Sequence, residues 1–332
     1  MAPLRFVMVG CGAIATSCHL PALSRYEDAE LVAVVDHDLP WARKVARQFG
    51  AKLALGDCRG LRGLVDAAIV ATPNSTHVVV ARELLECGVH VLCEKPLATT
   101  PADARSLFET SRRIGARIMP AHVRRFQANL VTAQQLVGRG IVGQPTSLVV
   151  SQSSPKGQWA SRTAYREDRN LAGGGVLIEL GVHLIDLALW FLGRQLTGAL
   201  GSLTWGGARD LESDAELTLQ FERGVRAEIA VSDRRPLERT LLVQGTDGWV
   251  VTSLDEDRSV SFFSRAARAC RFDGAQKARV DVGDIFHRQL VEFCHSIRAG
   301  LRFPVPEEDV LLGLDLIANV YAAPTIGREA PE

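Results

Sequence analysis

The sequence predicts a two-domain α/β fold, with a doubly wound N-terminal domain over residues 1–121 and a C-terminal α+β domain over residues 122–332. Short apolar strands alternate with helical patterns over the first 120 residues, which is typical of a parallel sheet covered on both faces. From residue 196 onward, β-like stretches follow one another with turns between them, which indicates a large open, mostly antiparallel sheet. A chain of 332 residues is long enough for both domains.

The elements of the first domain follow from hydrophobic periodicity. Nearly all-apolar runs predict strands at 4–9, 30–36, 66–71, 89–93 and 117–119. The patterns between them predict helices at about 13–24, 40–49, 76–87 and 101–114.

The second domain begins with a predicted helix near 125–139, followed by a strand at 145–152, a loop at 153–172 and an apolar helix at 176–190. Further strands are predicted at 196–205, 214–222, 225–232, 238–245, 248–253 and 258–264. Helices at about 284–299 and 307–322 end the chain, and these last helices are candidates to pack back on the first domain.

Composition argues against several classes of partner. Lys+Arg and Asp+Glu number 38 each, without the basic excess usual in nucleic-acid binders. We find no secretory signal at the N-terminus and no apolar run near the roughly 18 residues that span a membrane. The seven cysteines are scattered and lack CxxC spacing, which indicates reduced thiols and no metal site. We therefore expect a cytoplasmic protein without a metal, nucleic-acid or membrane partner.

A glycine-rich turn directly after the first strand predicts a dinucleotide site. Gly10 permits the tight turn, Gly12 lets the backbone approach a pyrophosphate, and Ala15 allows the helix to pack closely on the strand. Ala13 and Ile14 lie in the same turn and are included in the predicted site. The phosphates would lie at a helix N-terminus, where free N–H groups favour anions.

Two residues at the end of the second strand predict which dinucleotide is bound. The carboxylate of Asp36 would bind the adenosine ribose hydroxyls and repel a 2′-phosphate, so we expect NAD rather than NADP. His37 follows Asp36, and no arginine occurs before Arg43 to bind an extra phosphate. The alternative is a glycine-rich turn in an α/β protein that binds no nucleotide.

Four stretches together resemble the glucose-fructose oxidoreductase/inositol dehydrogenase family, often called Gfo/Idh/MocA. They are "HLPAL" (19–23), "ATPNSTH" (71–77), "VLCEKPLA" (91–98) and "AGGGVLIELGVHLIDL" (172–187). The resemblance implies an N-terminal Rossmann domain, a nicotinamide cofactor and a sugar or cyclitol substrate. It also implies a homodimer or homotetramer formed through the C-terminal sheet.

The resemblance also implies roles for two loops at the carboxyl edge of the first sheet, where open α/β folds bind ligands. The cofactor would be bordered by Thr72, Pro73, Asn74 and His77. Glu94 and Lys95 would lie near the nicotinamide ribose, and Pro96 would follow a cis peptide bond, which X–Pro bonds adopt most readily. Lys95 would also hydrogen-bond the reacting oxygen; the alternative is a surface lysine in a turn.

Three polar residues in the apolar helix 176–190 predict one wall of a substrate site. Glu179, His183 and Asp186 fall within an arc of roughly 60° on one face of an ideal helix. We interpret His183 as the general acid/base, because its ordinary pKa suits proton transfer near neutral pH, with Lys95 as its partner. A core histidine is the alternative. Asp186 is expected to be structural and to be able to pair with an arginine.

Glu179 departs from the resembled pattern, in which many members have Asp four residues before the histidine. We include Glu179 among the catalytic and substrate-binding candidates, because a longer side chain would reach a substrate such as an amino sugar or aminocyclitol. The preceding Gly173–Gly175 would let the backbone approach cofactor or substrate closely. The remaining substrate-binding candidates are Arg125, Lys156, Trp159 and Tyr165.

The leading hypothesis is an NAD-dependent oxidoreductase that moves a hydride between the nicotinamide and a secondary hydroxyl or ketone of a sugar, amino sugar or cyclitol. Biosynthesis of aminoglycoside-type natural products is one setting that would suit it. Two alternatives remain open. One is a ketoreductase that consumes NAD(P)H, and the other is a non-catalytic NAD-binding regulator of the same fold.

Overall fold

A computed structural model describes residues 2–154, 163–205, 210–255, 258–265, 275–280 and 283–323. The chain divides into two compact units that are not continuous in sequence. Unit 1 contains residues 1–123, 159–173 and 284–311, and unit 2 contains residues 124–158, 174–283 and 312–332. The helix at 285–299 therefore belongs to the same unit as the N-terminal sheet.

Unit 1 is built on a six-stranded parallel sheet in the order β3-β2-β1-β4-β5-β6, the strand order of a Rossmann fold. The strands are β1 Leu4–Val9, β2 Ala29–Val35, β3 Leu53–Leu55, β4 Ala67–Val70, β5 His90–Cys93 and β6 Ile118–Pro120. Every residue of β4 is buried, as expected for a strand covered on both faces. The very short edge strand β3 carries too little pattern for the sequence to have predicted it.

Helices surround this sheet and end with recognisable caps. They are α1 Leu20–Ser24, α2 Leu39–Phe49, α3 His77–Glu86, α4 Pro101–Ile114, α6 Arg169–Ala172 and α8 Ile285–Ala299. Asp38 caps the start of α2 and Thr100 caps α4, while Gly50 and Gly115 end these helices in the left-handed conformation. Helix α8 packs against α1, which explains its place in unit 1.

The predicted helix at 13–24 is different in the structure. Residues Ala15–His19 form a π-helical turn, and a regular α-helix begins only at Leu20. A π-turn accommodates one extra residue and often marks a functional position. Its last residue, His19, is buried.

Unit 2 contains an eight-stranded sheet in the order β14-β13-β12-β11-β7-β10-β9-β8. The strands are β7 Pro145–Ser153, β8 Leu196–Trp205, β9 Glu212–Phe221, β10 Arg226–Ser232, β11 Thr240–Gly245, β12 Gly248–Ser253, β13 Ser259–Ser264 and β14 Gln276–Arg279. Among the described residues of this sheet, β7 and β10 are the one pair of parallel strands, which confirms the predicted, mostly antiparallel sheet. The edge strand β14 is an addition to the prediction.

The core of unit 2 lies between one face of this sheet and its helices. These are α5 Ala128–Gly138, α7 Val182–Leu192 and the end of α9 Glu307–Ala322. Leu148 and Val150 of β7 point into this core, whereas the intervening Val149 is 40% exposed on the opposite face. That outer face also exposes 69% of Leu200 and carries Trp249 stacked on Phe263.

In the part of the chain that the structure describes, one stretch, Arg169–Leu192, is long and apolar enough to cross a membrane by length and composition. Its most apolar window is 67% buried inside the protein. Such burial is equally the property of a core helix, so this test is weak evidence for a membrane span.

Candidate active site

The glycine-rich turn lies at the carboxyl ends of β1, β2 and β4. Gly10 has φ +87°, and a Cβ there would lie 2.5 Å from the carbonyl oxygen of Ala71. By contrast, a Cβ on Gly12 would meet no heavy atom of the described chain within 4 Å. Gly10 is therefore required by the fold, while Gly12 leaves open space beside the backbone where a pyrophosphate fits.

Asp36 is fixed against this turn by two backbone amides. Its Oδ2 accepts a hydrogen bond from Cys11 N at 2.8 Å, and its Oδ1 accepts one from Asp38 N at 3.0 Å. The His37 ring lies 3.2 Å from Oδ1, but its side chain is 86% exposed. Asp36 thus presents a carboxylate beside the turn, the arrangement that binds an adenosine ribose in dinucleotide-binding domains.

The loop after β4 contains four predicted cofactor residues, two of which bond firmly to protein. Asn74 is 3% exposed and donates from Nδ2 to the carbonyl of Ala172 at 2.8 Å. His77 is 1% exposed, and its ring nitrogens lie 2.8 Å from the carbonyl oxygens of Thr72 and Pro96. Burial lowers the pKa of His77. Asn74 and His77 therefore tie loops of unit 1 together. Their place at the border of the cofactor stays a prediction.

Thr72 and Pro73, the other two predicted residues of that loop, are half-buried. Thr76 donates from Oγ1 to the carbonyl of Pro73, and its oxygen lies 2.8 Å from Oγ1 of Thr72. These contacts hold Thr72 and Pro73 at the edge of the sheet, where the sequence predicted a cofactor border.

The Glu94-Lys95-Pro96 segment follows β5 at the same edge. The Lys95–Pro96 bond is cis, as the resemblance implied. Oε1 of Glu94 lies 2.7 Å from Nε2 of His19, and its Oε2 accepts from Lys95 N at 3.2 Å. Burial opposes ionisation of Glu94, but the hydrogen bond and charge of His19, together with Lys95, outweigh it and lower the pKa of Glu94. The site therefore contains a carboxylate, 12% exposed, next to the candidate catalytic lysine.

In unit 2, Asp186 and Arg125 form a buried ion pair. Nε and Nη2 of Arg125 bond to the Asp186 carboxylate at 2.7–3.0 Å, and the two residues are 5% and 4% exposed. The guanidinium also lies 5.7 Å from the ring centroid of Trp190. Asp186 thus has the structural role that was predicted, in a pair with Arg125. The contact of Arg125 with a substrate stays a prediction.

Gly174 and Gly175 make room for protein side chains at the start of the candidate helix. A Cβ on Gly174 would lie 2.1 Å from the hydroxyl of Tyr321, and one on Gly175 would lie 2.2 Å from the backbone oxygen of Glu212. The Oε1 atom of Glu212 accepts hydrogen bonds from Gly175 N, Leu177 N and the Tyr321 hydroxyl at 2.7–3.0 Å. Gly174 and Gly175 are therefore required by close contacts within unit 2, which the sequence had not indicated for Glu212 or Tyr321. The close approach of a ligand to Gly173–Gly175 stays a prediction.

Glu179 and His183 lie where the predicted α-helix is again interrupted. Leu177–Gly181 is a π-helical turn, and α7 continues from Val182. Glu179 and His183 are half-buried, whereas Ile178, Val182 and Leu184 are at most 4% exposed. The two polar side chains therefore remain at the helix surface, as expected for the wall of a site.

The predicted rim is described only in part, because Lys156 and Trp159 lie outside the described residues. Tyr165 begins a short 3₁₀ turn and is half-buried. The Arg166 guanidinium lies 5.5 Å from the centroid of its ring.

We expect Gly175→Ala to destabilise unit 2 by about 1–3 kcal/mol, because the new methyl group forces Glu212 and the helix start apart. Gly138→Ala is the matched control, since a Cβ there meets nothing within 4 Å. Urea unfolding followed by tryptophan fluorescence measures both variants. Equal stability of the two would show that the close contact at Gly175 relaxes freely.

The sequence matches two family models. Residues 4–122 match the oxidoreductase family with an NAD-binding Rossmann fold, and residues 130–251 match the GFO/IDH/MocA C-terminal domain. The chain is also 31% identical to a dTDP-3,4-didehydro-2,6-dideoxy-alpha-D-glucose 3-reductase of Streptomyces antibioticus, with 96% of both chains covered. It is 32% identical to D-glucoside 3-dehydrogenase of Escherichia coli K12, covering 58% of this chain and only 54% of that protein.

Two solved structures share the fold. A 3-ketoreductase from Actinomadura kijaniata in complex with NADP and TDP-benzene superposes with a TM-score of 0.84 at 24% identity, covering 96% of this chain and 97% of the other. Levoglucosan dehydrogenase in complex with NADH and levoglucosan gives a TM-score of 0.87 at 19% identity, with the same two coverages.

The fold and the site thus define an oxidoreductase with an NAD(P)-binding Rossmann domain. The chain belongs to the GFO/IDH/MocA family, whose related members are sugar and cyclitol oxidoreductases.

Proposed function

We propose that this protein is an NAD-dependent oxidoreductase that oxidises the hydroxyl group at carbon 3 of a hexose or hexose derivative. The observation that carries the proposal is the Glu94-Lys95-Pro96 segment at the carboxyl edge of the Rossmann sheet. Its carboxylate and its lysine are both half-buried, and the carboxylate is held by His19. Position 3 is supported by the names of the two relatives at 31–32% identity, one a 3-reductase and the other a 3-dehydrogenase.

When bound, NAD supplies the hydride acceptor, and the protein must accept the hydroxyl proton as the ketone forms. We assign His183 as the group that takes this proton and Lys95 as the donor that holds the reacting oxygen. Glu179, on the same helix, binds a neighbouring substrate hydroxyl or ammonium group. Tyr165, Lys156 and Trp159 complete the proposed substrate-binding set.

The preference for NAD rests on Asp36, whose two oxygens already accept backbone hydrogen bonds beside the glycine turn. A ribose 2′-phosphate would meet this carboxylate as a like charge.

We expect Asp36→Ala to weaken NADH binding by roughly 10- to 100-fold, the usual effect of losing a hydrogen bond to a charged group. The same change is expected to reduce the difference between the affinities for NADH and NADPH. Fluorescence titration with both nucleotides measures these affinities. Asp28→Ala is the control, because this half-exposed carboxylate precedes β2 at its opposite end and pairs with Arg298. Tighter binding of NADPH than of NADH by the unaltered protein would reject the role of Asp36.

Turnover tests the function directly. The protein with NAD is given D-glucose, a methyl glucoside, glucose 6-phosphate, myo-inositol and an amino sugar, and absorbance at the NADH band is followed. We expect turnover of a hexose with a free 3-hydroxyl and none of its 3-deoxy or 3-O-methyl counterpart. NADH with the corresponding 3-keto sugar tests the reductive direction. Tight binding of NADH without turnover in either direction would favour the alternative function, a non-catalytic NAD-binding regulator.

We further propose that the protein forms a homodimer or homotetramer through the outer face of its eight-stranded sheet. Exposed Val149 and Leu200, with the Trp249–Phe263 pair, give this face an apolar character that lone surface residues lack. Sedimentation velocity tests this assembly.

A reducing compartment such as the cytoplasm would suit the six described cysteines, all of which are free thiols.

A further inference from the structure

His19 is a buried residue of unit 1 that contacts Glu94 and has no role in the proposed reaction. Its side chain is 2% exposed, and Nε2 lies 2.7 Å from Oε1 of Glu94. Since the ionised carboxylate can only accept, Nε2 must carry the proton and donate. His19 belongs to the "HLPAL" motif that contributed to the family resemblance without an assigned role.

The fold fixes the His19 ring from two sides. His19 ends the π-helical turn Ala15–His19, so an irregularity directly after the glycine-rich turn brings the ring to Glu94. The ring of Phe286, from α8, packs edge-on against His19 with the centroids 5.0 Å apart and the planes at 83°. The imidazole is therefore held in position independently of any ligand.

We propose that His19 is a positioning residue that fixes the Glu94 carboxylate for binding the nicotinamide ribose. His19 occupies Oε1, and Lys95 N donates to Oε2 at 3.2 Å, which leaves further acceptor capacity on Oε2 for a ribose hydroxyl. The proposal rests on the proposed function, because it requires a nicotinamide nucleotide at this edge of the sheet.

Electrostatics supports the same role. The pKa of Glu94 is lowered because the hydrogen bond and charge of His19, with Lys95, overcome the opposing effect of burial. The other titratable groups that interact with Glu94 carry little charge near neutral pH. Burial lowers the pKa of His77, raises that of Cys18 to about 11 and raises that of Cys93. Without the hydrogen bond and charge of His19, the effect of burial would be opposed less, and the pKa of Glu94 would be higher than in the unaltered protein.

NADH fluorescence titration of the full chain tests the proposal without knowledge of the sugar. We expect His19→Leu to raise the Kd for NADH by about 10- to 100-fold at pH 7.5. The effect should grow as the pH is lowered, because Glu94 in the variant takes up a proton at a higher pH than in the unaltered protein. His19→Gln, which keeps an N–H donor, should recover much of the affinity. His287→Gln is the matched control: this histidine packs edge-on against Tyr26 in the same unit, and its ring nitrogen lies near the carbonyl oxygen of Ala22 rather than Glu94.

A double-mutant cycle separates positioning from a general structural role. In a Glu94→Gln background, His19→Leu should raise the Kd less than threefold further. An undiminished effect in that background, or a Kd unchanged within twofold in His19→Leu, overturns the proposal. If His19→Leu fails to fold, His19→Asn, too short to reach Glu94, takes its place in the same cycle. Failure of the unaltered protein to bind NADH or NADPH would instead overturn the proposed function.

Discussion

Lys95→Met is expected to lower kcat by roughly 10²- to 10⁴-fold while the protein remains folded and still binds NADH. The reason is that methionine fills a similar volume but cannot donate to the reacting oxygen or share its proton. Stopped-flow or steady-state absorbance measures the loss, with the sugar that the unaltered protein turns over in the substrate panel.

His183→Asn is expected to cause a loss of similar size, and the double variant should be little worse than either single one. Groups that act together on one proton transfer lose most of their effect when either is removed. Lys52→Met is the matched control, because Lys52 pairs with Glu30 at the surface and is 69% exposed. If both single variants retained turnover within a few fold of the unaltered enzyme, the catalytic assignment would be wrong.

Asp186→Ala is expected to lower the free energy of unfolding of unit 2 by about 3–5 kcal/mol. The change leaves the Arg125 guanidinium charged and buried without its carboxylate, which costs far more than the loss of a surface pair. Urea unfolding can be followed through Trp190, which lies beside Arg125.

Two comparisons make this second prediction specific. Replacing both partners, Arg125→Met with Asp186→Leu, should recover much of the lost stability, because no uncompensated charge remains. Asp57→Ala, which breaks an exposed pair with Arg59, should leave the unfolding transition unchanged. A loss for Asp186→Ala as small as that for Asp57→Ala would mean that water reaches Arg125 in the variant.

The sequence predicted the sheets well because their pattern is strong. All-apolar strands, caps and turns recur along the chain, and each end of a predicted strand lies within two residues of the observed end. The two missed strands, Leu53–Leu55 and Gln276–Arg279, are short edge strands, where periodicity has too few residues to register.

The site was predicted less completely, for physical reasons. A 3.6-residue pattern does not reveal a π-turn, so the irregular geometry at His19 and Glu179 could not be anticipated. Asp186 was expected to pair with an arginine, but sequence distance alone does not identify Arg125 as that arginine, 61 residues away. His19 could have been suspected from its motif. Glu212 gave no such signal, because an isolated glutamate in a strand is usually exposed.

The contact of Gly174 and Gly175 with Tyr321 and Glu212 has a consequence for altering substrate range by directed evolution. These four positions depend on one another. A side chain on Gly174 would collide with Tyr321 and one on Gly175 with Glu212, and these two residues also hold the start of the helix. Random libraries that vary the four positions singly should yield mostly unstable clones. Glu179 and His183 lie outside these four positions on the half-buried surface, so diversity concentrated at 179 and its surroundings should explore new sugars at little expense in expression.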